Sequence, residues 1–183
     1  MLRIFCLCLV LWSSAHCQQW MTQYDQHFQF FCPPGQTIKA LDSIHDNHHE
    51  DRVWNFTCIV PPHGATLSKC EWSGYINDFD QPVDYNCPND GIICGIESVH
   101  DNHHEDRKWS YYCCFPEGFV THACEDTPYE NTYDHVLNYR VPDDFVLRGV
   151  QSVHDNRHED RIFKFDICKL DPIGEIEEGA VVG

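Results

Sequence analysis

The chain has 183 residues, with 29 Asp and Glu against 12 Lys and Arg, and a formal net charge of −17 with histidine neutral. That balance argues against nucleic acid, anionic membrane and heparin-like polyanions, and favours cations, mineral surfaces or basic proteins as partners. Residues 1–17 read as a secretory signal: Arg3 opens it, 4–12 is a short apolar core, and Ala15-His-Cys17 ends it, with cleavage before Gln18 or, alternatively, after Ala15. The apolar core is too short to span a bilayer, and no later run approaches one. The mature chain is therefore expected to be secreted, without membrane insertion, as one domain over 18–170 followed by an acidic C-terminal tail at 171–183.

One phrase is written three times: Ser43-Ile-His-Asp-Asn-His-His-Glu-Asp-Arg52-Val-Trp54, Ser98-Val-His-Asp-Asn-His-His-Glu-Asp-Arg107-Lys-Trp109 and Ser152-Val-His-Asp-Asn-Arg-His-Glu-Asp-Arg161-Ile-Phe163. Fixed-period self-similarity is the mark of a repeat architecture, and the copies can be compared with one another as repeats of about 20–74, 75–128 and 129–170. Each opens on an aromatic (Trp20, Tyr75, Tyr129) and then Tyr24-Asp25, Phe79-Asp80 or Tyr133-Asp134. A first strand follows, alternating through Phe28/Phe30, Val83/Tyr85 and Leu137/Tyr139 and stopped by proline. A second is expected at about 37–44, 92–99 and 146–153. Its apolar residues Ile38, Leu41 and Ile44 are three apart, which predicts a bulge near Ala40, Gly95 and Gly149. The third carries Trp54/Phe56/Cys58, Trp109/Tyr111/Cys113 and Phe163/Phe165/Ile167 on one face.

Nine cysteines follow the signal, an odd number for a disulfide framework. Cys32 and Cys58 are 26 residues apart, as are Cys87 and Cys113, and the third copy replaces both members together with Val141 and Ile167. Cys70–Cys114 and Cys124–Cys168 share a spacing of 44. These four pairs are predicted, with an exchange of partners between adjacent Cys113 and Cys114 as the alternative. Cys94 is left unpaired. Its counterparts Lys39 and Arg148 suggest a solvent-facing thiol that is free or capped, joins two copies into a homo-oligomer, or pairs with Cys17 if that residue is retained.

The repeated phrase is expected to be a long polar hairpin loop. Asp51, Arg52 and Trp54, with Asp106, Arg107, Trp109 and Asp160, Arg161, Phe163, form a structural signature in which arginine pairs with carboxylate or stacks on the aromatic. The histidines and acids are candidate metal ligands: His45, Asp46, His49 and Glu50; His100, Asp101, His104 and Glu105; His154, Asp155, His158 and Glu159. Oxygen donors suit Ca²⁺ and imidazoles suit Zn²⁺; no cofactor is required by any motif. His48 and His103 give way to Arg157, so that position is not a shared ligand. Asn55-Phe-Thr57 is a glycosylation sequon in the first copy only. Catalytic residues are absent: no nucleophile elbow, phosphate-binding glycine loop or zincin helix occurs, and triplication suits a multivalent binder.

Asp-Arg-x-Trp-[Asn/Ser]-[Phe/Tyr]-x-Cys at 51–58 and 106–113, Cys-Pro at 32–33 and 87–88, and the Cys113-Cys114 doublet resemble the dermatopontin family over essentially the whole mature chain. The resemblance implies a secreted, non-enzymatic extracellular-matrix or adhesion protein. Vertebrate members are linked to collagen fibril assembly, proteoglycan and growth-factor binding; invertebrate relatives include shell-matrix proteins, aggregation factors and agglutinins. The histidine-rich loops and the acidity depart from the vertebrate pattern and fit an invertebrate-type member. The expected fold is all-β: three internal repeats of three strands around a pseudo-threefold axis, β-prism-like or alternatively β-trefoil-like, stapled by disulfides. Expected partners are matrix proteins, cell-surface or glycan ligands, or mineral, with a multivalent carbohydrate-binding agglutinin as the alternative.

Overall fold

Each copy of the repeated phrase closes a long antiparallel hairpin. A computed structural model describes residues 20–174; the expected signal at 1–17 and most of the expected tail lie outside them. The hairpins are β2 (Thr37–Asp46) with β3 (Asp51–Ile59), β6 (Ile92–Asp101) with β7 (Asp106–Pro116), and β10 (Phe145–Asp155) with β11 (Asp160–Pro172). The expected long loop is only four residues in each case, because His45 and Asp46 still pair with Arg52 and Asp51 in the ladder. β11 runs two residues past the expected tail boundary at 170.

The first strand of each repeat does not stay with its own hairpin. β1 (Phe28–Phe31) pairs with β6, β5 (Val83–Asn86) with β10, and β9 (Leu137–Arg140) with β2. Every repeat lends a strand to the next, and the third lends to the first. Sequence comparison gives three self-contained triplets of strands; the exchange couples them into a closed circuit. The bulges fall where predicted, with register shifts at Ile38/Ala40, Ile93/Gly95 and Leu147/Gly149. At Gly95 the borrowed strand comes so near that a Cβ would stand 2.6 Å from the carbonyl oxygen of Phe30, closer than non-bonded atoms tolerate.

Two strands were not foreseen, β4 (Leu67–Trp72) against β7 and β8 (Phe119–Asp126) against β11. β4 is mostly half-buried and β8 is exposed over its second half, and each is irregular, with positive φ at Lys69 and Ala123. Alternation is too weak in them to announce a strand. The result is an all-β molecule of three sheets, ordered β1-β6-β7-β4, β5-β10-β11-β8 and β3-β2-β9.

Inner faces of the three hairpins meet in one core, where equivalent residues from each repeat converge: Leu41, Ile96 and Val150 above Phe56, Tyr111 and Phe165. Trp54, Trp109 and Phe163 pack edge to face in a closed triangle, with centroids 5.3–5.7 Å apart and interplanar angles of 79–87°, the preferred arrangement for aromatic quadrupoles. The bridges are Cys32–Cys58, Cys87–Cys113, Cys70–Cys114 and Cys124–Cys168. The first and second tie the end of a lent strand to its own hairpin, while Cys70–Cys114 and Cys124–Cys168 fasten β4 and β8.

Cys94 corrects the expectation of a solvent-facing thiol. It is buried with Ile92, Cys114, Val146, Cys168 and Leu170, and burial pushes the thiol up to about 12. Its counterpart Lys39 occupies an equally buried position by running its stem outward to the Pro142 carbonyl and Asp143, so a charged counterpart is a poor guide to exposure. A link between copies through Cys94 would require the fold to open. Cys94 should therefore resist iodoacetamide in the native chain at pH 8 and react only after unfolding; equal labelling of native and denatured protein would show the thiol to be accessible.

Candidate functional site

At the turn end of the hairpins, the Asp-Arg pairs of the three phrases close on one another. Arg52 donates through Nε and Nη2 to Asp160, each at 2.6 Å; Arg107 reaches Asp51 at 2.6 and 2.7 Å; Arg161 reaches Asp106 at 2.6 and 2.7 Å. Each arginine is bonded to its sequence neighbour's counterpart in another repeat, so the circuit returns to its start. All six side chains are buried. Every Nη2 also donates to a carbonyl in the neighbouring repeat, that of His135, Gln26 or Gln81. Every aspartate accepts a further N–H, from Asp134, Asp25 or Asp80. Bidentate geometry and these extra bonds are what a buried ion pair needs to offset its desolvation.

The four-residue turns 47–50, 102–105 and 156–159 sit above this ring. Asp46 and Asp101 accept two backbone N–H bonds across their turns, and Asp155 does the same; these bonds hold Asp46 and Asp101 below the ordinary carboxylate range. His49, His104 and His158 lie flat on Tyr24, Phe79 and Tyr133, 4.6–5.0 Å between centroids, and their Nδ1 atoms reach Asp25, Asp80 and Asp134 at 3.0–3.2 Å. Of the expected ligands, then, the Asp46 and His49 positions are spent on shaping and docking the turn within its own repeat. Glu50, Glu105 and Glu159 close the turns with positive φ of 45°, strained for a non-glycine residue, and they line a cavity of about 20 Å³ together with all three Asp-Arg pairs.

His45, His100 and His154 are different. Their imidazoles are buried and make no hydrogen bond. Each faces carboxylates of two repeats: His100 lies 3.8 Å from Asp25 and 3.8 Å from Glu105, and His154 lies 3.6 Å from Asp80, 3.9 Å from Asp106 and 3.9 Å from Glu159. His45 turns Nε2 to Glu50 and Asp134, at 3.6 and 3.8 Å, and Nδ1 to Asp160 at 3.3 Å. Burial would lower His45, but the Asp160 carboxylate more than reverses this and raises it. Burial likewise opposes ionisation of Asp160, yet His45 and Arg52 together hold it down at about 2. Burial raises Glu159, and repulsion from Glu50, Asp80 and Glu105 adds to this against the opposing pull of His154.

Sequence reasoning missed Asp25, Asp80 and Asp134, which complete these clusters. Their signal was present, since all three follow an aromatic at the same place in each repeat, but only the strand exchange brings them to another repeat's histidine. It also missed Thr22, Asn77 and Asn131, whose side-chain oxygens accept the N–H of Trp54, Trp109 and Phe163. Asn55 is half-buried on the outer face of β3, with Oδ1 accepting the Met21 N–H. No helix among the described residues is long and apolar enough to cross a membrane.

Residues 22–172 match the family model described as Dermatopontin. The hemagglutinin/amebocyte aggregation factor of Limulus polyphemus is 42% identical over 157 residues, covering 84% of this chain and 88% of that protein. Millepora cytotoxin-1 of Millepora dichotoma is 40% identical over 148 residues, 81% of this chain and 65% of its own length. Dermatopontin of Biomphalaria glabrata is 38% identical over 144 residues, 79% of this chain and 95% of its own. No solved structure matches. The chain belongs to the dermatopontin family.

Arg107→Met should lower stability to urea by about 3–5 kcal/mol, because Asp51 is left buried without its partner. Adding Asp51→Leu should recover at least half of that loss, and a single variant as stable as the parent would show that the pair carries no net weight. The ring also sets the acid limit. Asp160, held near 2 against an ordinary 3.8, contributes stability that is complete above about pH 4 and lost as pH falls toward 2, roughly 2 kcal/mol from this group. His45 acts oppositely: its contribution is complete below 6.5 and is lost as pH rises through its elevated folded value. Urea midpoints measured from pH 2 to 8 should be highest between about 4 and 6.5, and a midpoint unchanged at pH 2 would contradict this assignment.

Proposed function

We propose that this dermatopontin-family chain is a secreted, non-enzymatic adhesion protein of the extracellular matrix, presenting three equivalent acidic turns from a prism-like body with a pseudo-threefold axis. The observation that carries the reading is the convergence of those turns on one cavity, each shaped by the same aspartate and docked by the same aromatic–histidine stack. Three rigid copies of one exposed motif, each beginning with an exposed asparagine (Asn47, Asn102, Asn156), suit a repetitive partner, since linked weak contacts multiply into avidity. The acidity of the face favours basic matrix proteins, cations or mineral over sulfated glycans or nucleic acid. The name of the Limulus relative supports a part in cell aggregation, and membership of the dermatopontin family supports a matrix role.

A carbohydrate-binding agglutinin is a second reading, favoured by a groove of about 440 Å³ beside β4 and β7. Trp72, Tyr85 and Phe115 line it with Lys69, Glu71 and Asn89, a combination of ring faces and polar groups suited to a sugar. The two readings separate in one assay with the purified mature chain on whole cells and on collagen-coated surfaces. Changing Asn47, Asn102 and Asn156 together to alanine should weaken attachment by at least about tenfold and each single change by much less. Attachment untouched by the triple change but abolished by a free sugar, or by Trp72→Ala, would overturn the turn-face reading in favour of the groove.

A further inference from the structure

The three buried histidines make no hydrogen bond that the scaffold requires; only His45 comes close to a ring carboxylate, at 3.3 Å from Asp160. His100 has both ring nitrogens buried and without a hydrogen-bond partner, and the Asp25 Oδ1 that faces it is likewise buried and unpartnered. Burying such groups without a partner is unfavourable, more so when they are charged, and the same pairing of unpartnered atoms recurs at His154 with Asp80 and at His45 with Asp134. At His100 and His154 the separations of 3.6–3.9 Å, and at His45 the 3.8 Å to Asp134, are too long for hydrogen bonds. They are slightly wider than the spacing of about 3.3–3.5 Å between donors that share one tetrahedral zinc ion. One donor atom each from Asp25, Asp51 and His100, and one each from Asp80, Asp106 and His154, all lie within 4.8 Å of one another.

We propose that each of these inter-repeat clusters is a divalent transition-metal site, with zinc as the natural occupant, held by the buried histidine and glutamate of one repeat and by Asp25, Asp80 or Asp134 of its neighbour. The charges fit. At the second junction Asp25, Asp51 and Glu105 carry three negative charges, and Arg107 returns one positive charge to Asp51, leaving a surplus of two for a divalent cation to neutralise. The same sum holds at the other two junctions, through Arg161 on Asp106 and Arg52 on Asp160. The imidazole selects zinc or a similar ion over Ca²⁺, which takes six to eight oxygens. Asp51, fixed by Arg107, stands behind the site as an anchor, while Glu105 and Asp25, each about one-third exposed, give the ion its path from solvent.

This site differs from a loop that binds metal by itself: its ligands come from two repeats, so the ion clamps the same junction that strand exchange and the arginine ring close. It deepens the turn-face reading above, because it names what would set the electrostatics of that face. The test dialyses the intact mature chain against zinc, removes free ion, and counts bound metal by mass spectrometry. Three zinc ions per chain, one at each junction, should remain in the presence of millimolar Ca²⁺, raise the thermal midpoint, and leave on exposure to a strong chelator. His100→Gln should remove one ion, and His103→Gln, on the exposed turn, none. If His100→Gln fails to fold, as judged by near-ultraviolet circular dichroism, Asp25→Asn takes its place. No zinc above background, or equal zinc in the His100 or Asp25 variant and the parent, would overturn the proposal. Attachment measured on zinc-loaded and stripped chain keeps the two readings apart. Zinc bound without attachment sinks the adhesion reading alone; attachment with no zinc bound sinks the metal site alone.

Discussion

The closed circuit of three buried arginine–aspartate pairs is the constraint on which the rest of the molecule depends. A buried guanidinium is tolerable only where its charge is matched and its fork is filled, and here both conditions are met by a different repeat from the one that supplies it. No repeat can satisfy its own arginine, because its own aspartate is already committed to the next. The pairs therefore stabilise only the complete set of three. The lent strands obey the same rule, since β1, β5 and β9 each complete a neighbour's sheet. The Arg Nη2 bond to the carbonyl of Gln26, Gln81 or His135 ties the ring to the segment just before each lent strand. Ring and exchange are two views of one closure.

Much of this was legible along the chain because it is local or periodic. The repeat, the three hairpins and the bulges at Ala40, Gly95 and Gly149 follow from spacing. Paired loss of Cys32 and Cys58 equivalents in the third copy pointed to the disulfide partners. What was not legible depends on which copy meets which. Arg52 was expected to find a carboxylate, but nothing in the sequence separates Asp51, Asp106 and Asp160 as its partner, since the three phrases are nearly identical. The same degeneracy hid Asp25, Asp80 and Asp134: comparing copies reveals that a residue recurs, not that it crosses to another repeat. Cys94 misled for a different reason. A buried Lys39 with a snorkelling stem looks, in sequence, like an exposed one. β4 and β8 were invisible because strands that gain order from a disulfide and a neighbouring ladder need little alternation of their own.

Differences among the copies divide the repeated phrase into layers. The outermost position varies freely, as His48 and His103 against Arg157, and it is exposed in all three. Within the core the third copy stays apolar while changing the residues, with Phe163 for tryptophan in the aromatic triangle, and Val141 and Ile167 for a disulfide. Both apolar replacements are buried, so the space once filled by sulfur is filled by packing. Between these layers the His, Asp, Glu, Asp and Arg of the phrase do not vary at all. Invariance there is expected of the Asp-Arg ring, whose geometry leaves no alternative residue.

The same reasoning does not cover the histidine. A scaffold that wanted only to fill its volume could use an apolar residue beside Asp160, Asp51 and Asp106, and would gain stability by removing an unpaired polar ring from the interior. A scaffold that wanted a permanent counter-charge could use arginine, as it does one strand away. Imidazole in all three copies, buried, unbonded and facing two carboxylates, is instead the choice of a junction whose charge is set by something that comes and goes, a proton or a metal ion. At His45 the Asp160 carboxylate, 3.3 Å away, favours the ionised ring against its burial. A single proton offsets only half of the double negative surplus at each junction, and that remaining charge is what distinguishes a site for a divalent cation from a buried ion pair.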